Sequence, residues 1–320
     1  MQTTFTPTQA TTKFQRTYQV FVEAINGSTF EFGSADGSQP LLDMEFNVIR
    51  GYQAAVQSGN FRIRNVNQNT RNNIFKDGYD LYPRSVKVLA GYAGTPLSTI
   101  FQGNAQTIMS YREEGGTDWI TEIIGMDWSF LHSSSWSGWT DNPGTGKAYT
   151  QQQVITHLVN DAISYASSKG QILGIGAVNG FFTPRYSYTA HDFTMNLLAI
   201  ESSRLGYIDA GKIYIMPSNY VFINGDVTEI SSETGLLGSP KQSQFQLTCQ
   251  VIFEPGLQVG QSVFLNTESS EFSSAQNGLY KVVGVQHAGV ISSSRAGKCT
   301  TTVILQYALG HVSVNPGIYT

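Results

Sequence analysis

The sequence predicts a mainly β protein with an α/β insertion: two β modules flanking a small α/β module. Three observations carry this. Apolar and polar residues alternate with period two near both ends of the chain. Leu42, Met44, Phe46 and Val48 alternate with Asp43, Glu45 and Asn47, and Phe245, Leu247, Cys249, Val251 and Phe253 repeat the pattern later. Between these regions, residues from Val154 to Ile163 place their apolar members on one helical face. Glycine-bearing turns punctuate both β regions, and 320 residues give room for roughly two domains.

Residues 1–16 are polar and aperiodic and read as an N-terminal arm. Residues 17–131 read as the first β module. Phe61 and Ile63 alternate with Arg62 and Arg64, and strands are expected at 85–89, 99–110 and 118–126. Residues 67–78 read as a loop or one short helix closing on the turn signal Asp77-Gly78. The reversals at 91–94 and 113–116 contain Gly91, Gly94, Gly115 and Gly116, which reach positive φ at little steric cost. Residues 132–149 break the alternation with Gly, Ser, Asn and Pro and read as a linker.

Residues 150–228 read as the insertion. Thr150 and Gln153 have capping-box spacing, so the Thr150 hydroxyl can accept from the third N–H and Gln153 can return to the cap. Val154, Ile155, Leu158, Val159, Ala162 and Ile163 form the inward face of this helix. A second helix is expected from about Ala190 to Arg204, with Phe193, Leu197, Leu198 and Ile200 inward and Gly206 as its C-cap. Residues 207–216 read as a hairpin. Residues 229–310 read as the second β module, with strands at 245–253, 261–265, 279–286 and 299–307, and 311–320 as an irregular tail. Strands near 86–89, 100–108 and 119–126 echo those near 263–265, 279–285 and 301–307: each set is a three-stranded meander.

Composition narrows the role. Charged residues make up 13% of the chain and the net charge is −4, against about 25% charged residues in an average domain. Aromatics at 12% argue against disorder. No basic run marks a nucleic-acid binder. No stretch of about 18 apolar residues predicts membrane insertion, and the first 16 residues carry no secretory signal pattern. Cys249 and Cys299 each lie in a strand-like run and read as buried free thiols.

Candidate chemistry is sparse. Residues 142–147 (NPGTGK) miss a phosphate loop at Asp141 and Ala148. Residues 174–180 (GIGAVNG) lack the final glycine spacing and the following helix of a dinucleotide site. His132, His157, His191, His287 and His311 form no metal-ligand pattern, and His287 reads as a strand-edge residue. No catalytic residue, metal or cofactor is therefore expected. Glu113, Glu114 and Asp118 are the remaining acids for a secreted β-rich glycan hydrolase. Trp119, Trp128, Trp136 and Trp139 are the aromatic side chains for a glycan-binding module. Solvated acids and packed tryptophans are the simpler reading of both groups.

Several motifs in combination resemble a known family. The first is 90–94 (AGYAG), with Gly91, Tyr92 and Gly94, then 100–103 (IFQG) ending at Gly103, after 60–66 (NFRIRNV) and 70–74 (TRNNI). The second is 115–121 (GGTDWIT), with Gly116, Asp118 and Trp119, closed by Asp127. The third is 229–240 (EISSETGLLGSP), with Gly235, Leu236, Gly238 and Pro240. The fourth joins 254–257 (EPGL), with Pro255 and Gly256, to Gly260, then Gly278 and Tyr280 in 278–282 (GLYKV), and Gly289 in 287–289 (HAG).

Over roughly residues 18–307 the chain resembles the baseplate hub proteins of contractile-tailed bacteriophages. The resemblance implies two tail-tube-like β-barrel modules per chain and a homotrimeric ring at the end of the tail tube. Such a ring adapts the sixfold tube, or its tube-initiator protein, to a threefold central spike. Baseplate wedge proteins surround it. Its channel holds the tape-measure protein and later passes DNA without sequence-specific binding. The expected location is the virion baseplate, after assembly in the host cytoplasm. Low charge fits this role, because subunit interfaces deplete charge at their cores.

Overall fold

A computed structural model of the protein describes residues 13, 15–34, 41–52, 57–128, 131, 134–140, 149–178, 184–185, 189–201, 206–216, 220–223, 227–267, 277–294, 297–307 and 310–313. The fold is mainly β with an α/β insertion between two β modules. Contacts divide the chain into two units, one containing residues 57–126 and 219–314 with the N-terminal strands, the other built around 127–218.

The first module contains β1 (Arg16–Glu23), β2 (Thr29–Ser34), β3 (Met44–Gly51), β4 (Ser58–Arg64), helix α1 (Gln68–Ile74), β5 (Arg84–Tyr92), β6 (Ser98–Tyr111) and β7 (Ile120–Met126). Strand β3 keeps the expected alternation, burying Met44, Phe46, Val48 and also Arg50. Asn67 caps α1 by accepting from the Thr70 N–H at 2.8 Å. Strand β6 changes partners along its length: residues 98–105 pair with β5, and residues 104–111 with β7, across an irregularity at Gln106. Its Phe101 ring lies 5.6 Å from that of Phe61. Gly59 and Gly125 make room for the ring, since a Cβ on Gly125 would stand 2.7 Å from it. The core gathers Tyr18, Val20, Val86, Phe61 and Ile123 with Phe253 and Ile291 of the second module. Each such fully buried apolar side chain contributes about 1.5–3 kcal/mol.

The other unit contains β8 (Trp136–Thr140), β9 (Tyr149–Thr150), α2 (Gln151–Ser168), β10 (Gly174–Val178), β11 (Pro184–Arg185), β12 (Thr189–Phe193), α3 (Thr194–Glu201), β13 (Gly206–Asp209) and β14 (Lys212–Ile215). The capping box at Thr150 and Gln153 is present, and α2 buries Val154, Ile155, Leu158, Val159 and Ala162. The hairpin β13–β14 turns through Ala210 and Gly211, both at positive φ. The glycine-rich run at 174–178 is strand β10, parallel to β14. Three expectations are corrected. The second helix starts at Thr194, because residues 189–193 pair with β8. Ile200 points outward at 64% exposure. Gly206 opens β13 rather than capping the helix. Residues 142–147, and the side chains of His132, His191, His311 and Trp139, lie outside the described residues.

The second module contains β15 (Tyr220–Ile223), β16 (Thr228–Ile230), β17 (Lys241–Gln242), β18 (Gln246–Ile252), β19 (Ser262–Leu265), β20 (Gly278–Ile291), β21 (Cys299–Tyr307) and β22 (Gly310–Ser313). Strand β22 pairs with β15 inside the stretch expected to be irregular. Both cysteines are free and buried.

The two modules share one sheet. Its order is β17-β18-β21-β20-β3-β4-β7-β6-β5-β1-β2, with β19 against β20 and β16 against β19. The junction is the antiparallel pair β20–β3, running from Gly284↔Gly51 to Ile291↔Met44.

Candidate assembly surface and the buried seam

The β20–β3 junction carries a polar network inside an otherwise apolar core. Arg50 and His287 are both buried. The Arg50 guanidinium donates to the Leu257 carbonyl and stands 3.2 Å from His287 Nε2. His287 Nδ1 meets the Thr301 hydroxyl at 2.9 Å, and that hydroxyl accepts from the Glu254 N–H at 2.9 Å. Burial, with the Arg50 charge adding to it, holds His287 well below the ordinary imidazole range, so the ring is neutral. The expected edge position of His287 is corrected: it lies within β20, and β3 covers it. On the same strand, Lys281 is buried with its ammonium 4.0 Å from the Tyr52 ring centroid. Burial pushes it down to about 8.

The outer face of the shared sheet is charge-poor. One row across the strands runs Gln250, Thr302, Gln286, Ile49, Ser58 and Met126. The next runs Ile252, Thr300, Ala288, Asn47, Asn60 and Ile124. From β18 to β7, charge enters at the adjoining row of Glu45, Arg62 and Glu122; beyond β6, Lys87 of β5 and Glu31 of β2 face outward as well. Arg62 pairs with Glu113 and lies 3.8 Å from Glu45.

The motif residues are structural. Gly91 and Tyr92 end β5, and the Tyr92 hydroxyl donates to the Phe253 carbonyl at 2.7 Å. Gly94 and Gly116 sit in the turns flanking β6, while Gly103 is buried within it. Asp118 accepts from the Asn65 amide at 3.0 Å. The guanidinium groups of Arg71 and Arg112 both lie over the Trp119 ring, 3.9 and 4.9 Å from its centroid. Asp127 falls in the insertion, where burial and the nearby Asp209 push its carboxyl well above the usual range.

Gly235, Leu236, Gly238 and Pro240 form the loop that covers the outer side of β18: Ile252 N–H donates to Gly235 at 2.8 Å, and Leu236 bridges Val251. Pro255 is buried and Gly256 exposed in the turn before Gly260, whose N–H donates to Val282 at 2.7 Å. Gly278 opens β20, and the buried Tyr280 ring lies 4.8 Å from that of Tyr307. Gly289 is required by space: a Cβ there would stand 2.4 Å from the Cys299 Cα.

Glu113 is ion-paired with Arg62, Trp128 is buried in the insertion, and Trp136 packs edge-on against Phe193 at 5.3 Å. Among the described residues, no cluster of three or more His, Cys, Asp or Glu is placed to hold a metal, and no helix is long and apolar enough to cross a membrane.

Two features escaped the sequence reading. Arg50 occupies the inward phase of β3, and a cation continuing an apolar period-two face is a readable sign of a buried network. The other is the loop after α1, which displays Phe75, Tyr79, Leu81 and Tyr82. Large apolar residues clustered around Asp77-Gly78 were a signal for it.

No family sequence model and no curated relative matches the chain. Solved structures do. The tail protein of Neisseria meningitidis MC58 aligns with a TM-score of 0.53 at 12% identity, over 91% of this chain and 96% of that one. The 43 kDa tail protein of prophage MuSo2 from Shewanella oneidensis aligns at 0.52 and 9% identity, over 90% and 96%. An Escherichia coli component of the type VI secretion system, described as structurally similar to the T4 bacteriophage tail proteins gp27 and gp5, aligns at 0.52 and 11% identity, over 85% and 76%. The chain therefore has the fold of these tail proteins.

Proposed function

We propose that the protein is the structural hub of a contractile phage tail baseplate. In this reading it forms a homotrimeric ring between the sixfold tail tube, or its initiator, and the threefold central spike. Wedge proteins lie outside the ring, and the tape-measure protein and then DNA occupy its channel. The domain division that accompanies it keeps the arm at 1–16 and two β modules around an insertion, with the insertion running from 127 to 218 and the second module from 219 to 314 in place of the bounds expected from the sequence.

One observation supports this reading above the others: two four-stranded runs, β17-β18-β21-β20 and β3-β4-β7-β6, joined edge to edge in one chain. Three chains would offer six such runs, the arithmetic a threefold-to-sixfold adaptor needs. The two charge-free rows from β18 to β7 suit a conduit, because a surface rich in free cations would hold DNA through its phosphates. Arg62, at the border of those rows, is ion-paired.

The test is assembly. Light scattering on the purified protein, alone and with its spike, should give a trimer in at least one condition, and electron-microscopy averages should show a ring with an open centre. A protein that stays monomeric with both spike and tube proteins would sink the proposal.

A further inference from the structure

The sequence holds four Asn–Gly pairs. Those at 179–180 and 224–225 lie outside the described residues. The other two are held in different ways. Asn26 and Gly27 form the tip of the hairpin β1–β2, beyond its last pair Glu23↔Thr29, and both are exposed. The Ala24 N–H donates to the Ser28 carbonyl at 2.8 Å, and the Gly27 N–H donates to the Ala24 carbonyl at 3.0 Å. Gly27 has a φ of 78°, and a Cβ built on it would meet nothing within 4 Å. Glycine closes such a turn at little steric cost. Its missing side chain also leaves the backbone nitrogen open to approach once the single turn hydrogen bond releases it.

The Asn26 carboxamide folds back over this turn. Its Oδ1 accepts from the Ser28 N–H at 3.0 Å and from the Ser28 hydroxyl at 2.6 Å. A bond from Oδ1 to the N–H two residues on keeps Cγ close to the intervening Gly27 nitrogen. Two donors aimed at Oδ1 stabilise the negative charge that grows there when a nucleophile adds to Cγ. Asn277 is held otherwise. Thr267, ten residues earlier, clasps its carboxamide at both ends. Asn277 Oδ1 accepts from the Thr267 N–H and hydroxyl, each at 2.8 Å, and Nδ2 donates to the Thr267 carbonyl at 3.4 Å. That clasp ties the side chain to a separate segment instead of its own Gly278.

We propose that Asn26–Gly27 is a site of spontaneous, turn-assisted deamidation. The Gly27 nitrogen loses its proton to solvent base, and its electron pair attacks Asn26 Cγ. A C–N bond forms, the Cγ–Nδ2 bond breaks, and Nδ2 leaves as ammonia with a proton from water. The cyclic imide then takes up one water. Opening at the side-chain carbonyl leaves an ordinary aspartate at position 26. Opening at the main-chain carbonyl leaves an isoaspartate, with the chain running through the side chain. No oxidation or reduction is involved. Either product adds a negative charge to a chain of net charge −4. The isoaspartate also lengthens the main chain by one methylene within the turn. That disturbs the spacing through which the Ile25 N–H donates to the Asn73 carbonyl at 3.3 Å, so the hairpin tip loosens from the end of α1.

The test is peptide mapping by mass spectrometry on the full chain, incubated in mildly alkaline buffer either folded or in urea. In the folded chain Asn26 should convert while Asn277 keeps its amide. In urea both should convert at similar rates. Gly27→Ala should slow the folded reaction about tenfold or more. Ser28→Ala removes one of the two donors, keeps the backbone bonds of the turn, and should slow the reaction severalfold. Circular dichroism checks the fold of each variant. A folded chain whose Asn26 outlasts the same residue in urea overturns the proposal. So does Asn277 converting as fast as Asn26 in the folded chain, or a Ser28→Ala rate equal to wild type.

Discussion

The meanders β5-β6-β7 and β19-β20-β21 are built alike and finished differently. Each has a 14-residue middle strand that changes partners halfway, at Gln106 in β6 and at Val283 in β20. In the second meander the far half of the long strand is sealed by β3, and the seal includes the buried Arg50, His287 and Thr301. In the first the corresponding half meets the segment after α1 instead, where Lys76 and Ile108 exchange both backbone hydrogen bonds beside an aromatic loop. The same architecture thus serves a strand-sealed seam in one place and a loop-covered edge in the other. Covering an edge with a loop is one way a sheet avoids pairing with another chain.

Four experiments would break or sharpen this comparison. The largest effect is expected at the seam. Arg50→Ala leaves a cavity and takes the donor from the buried Leu257 carbonyl and the His287 imidazole, and should cost about 3–5 kcal/mol, read as a fall in the urea midpoint. Gly289→Ala, in the seam half of β20, forces a Cβ against the Cys299 backbone and should cost on the order of 3 kcal/mol. Thermal denaturation against Gly94→Ala, a turn position with positive φ and open space, separates steric from conformational cost.

The third effect is one of pH. The unfolded chain protonates its imidazole near pH 6.5, while folded His287 resists the proton. The unfolded state therefore binds more protons as pH falls, and stability should decline below about 6.5. A His287→Gln variant should lose that slope between about pH 6.5 and 5, before the carboxylates titrate. The smallest effect is expected from Arg62→Ala, at the border of the outer face. Its pairs are partly exposed, so the cost should stay within about 1 kcal/mol and shrink further in high salt.

Much of the fold was legible because burial in β sheets follows period two. Met44, Phe46 and Val48 announced β3, and Leu247, Cys249 and Val251 announced β18. The α2 cap was readable because Thr150 and Gln153 act locally. The second helix was misjudged because Phe193 satisfies a helical stripe as well as a strand, and only the pairing with β8 decides between them. The seam was illegible for a different reason. Nothing local to Val48 specifies that its partner is His287. Likewise the exposure of Tyr79 and Leu81 depends on Lys76 being tied down beneath them.

The seam also sets a timetable. Asn47 and Gln286 share a 2.8 Å hydrogen bond across 239 residues of sequence. During synthesis β3 emerges long before β20 exists. At the ribosome's pace of about 5–20 residues per second, its edge waits roughly 10–50 s for its partner. Through that interval a nascent chain exposes Met44, Phe46 and Val48 without the strand that later flanks them. The protein's most vulnerable moment is therefore in the making of the chain, before β20 arrives.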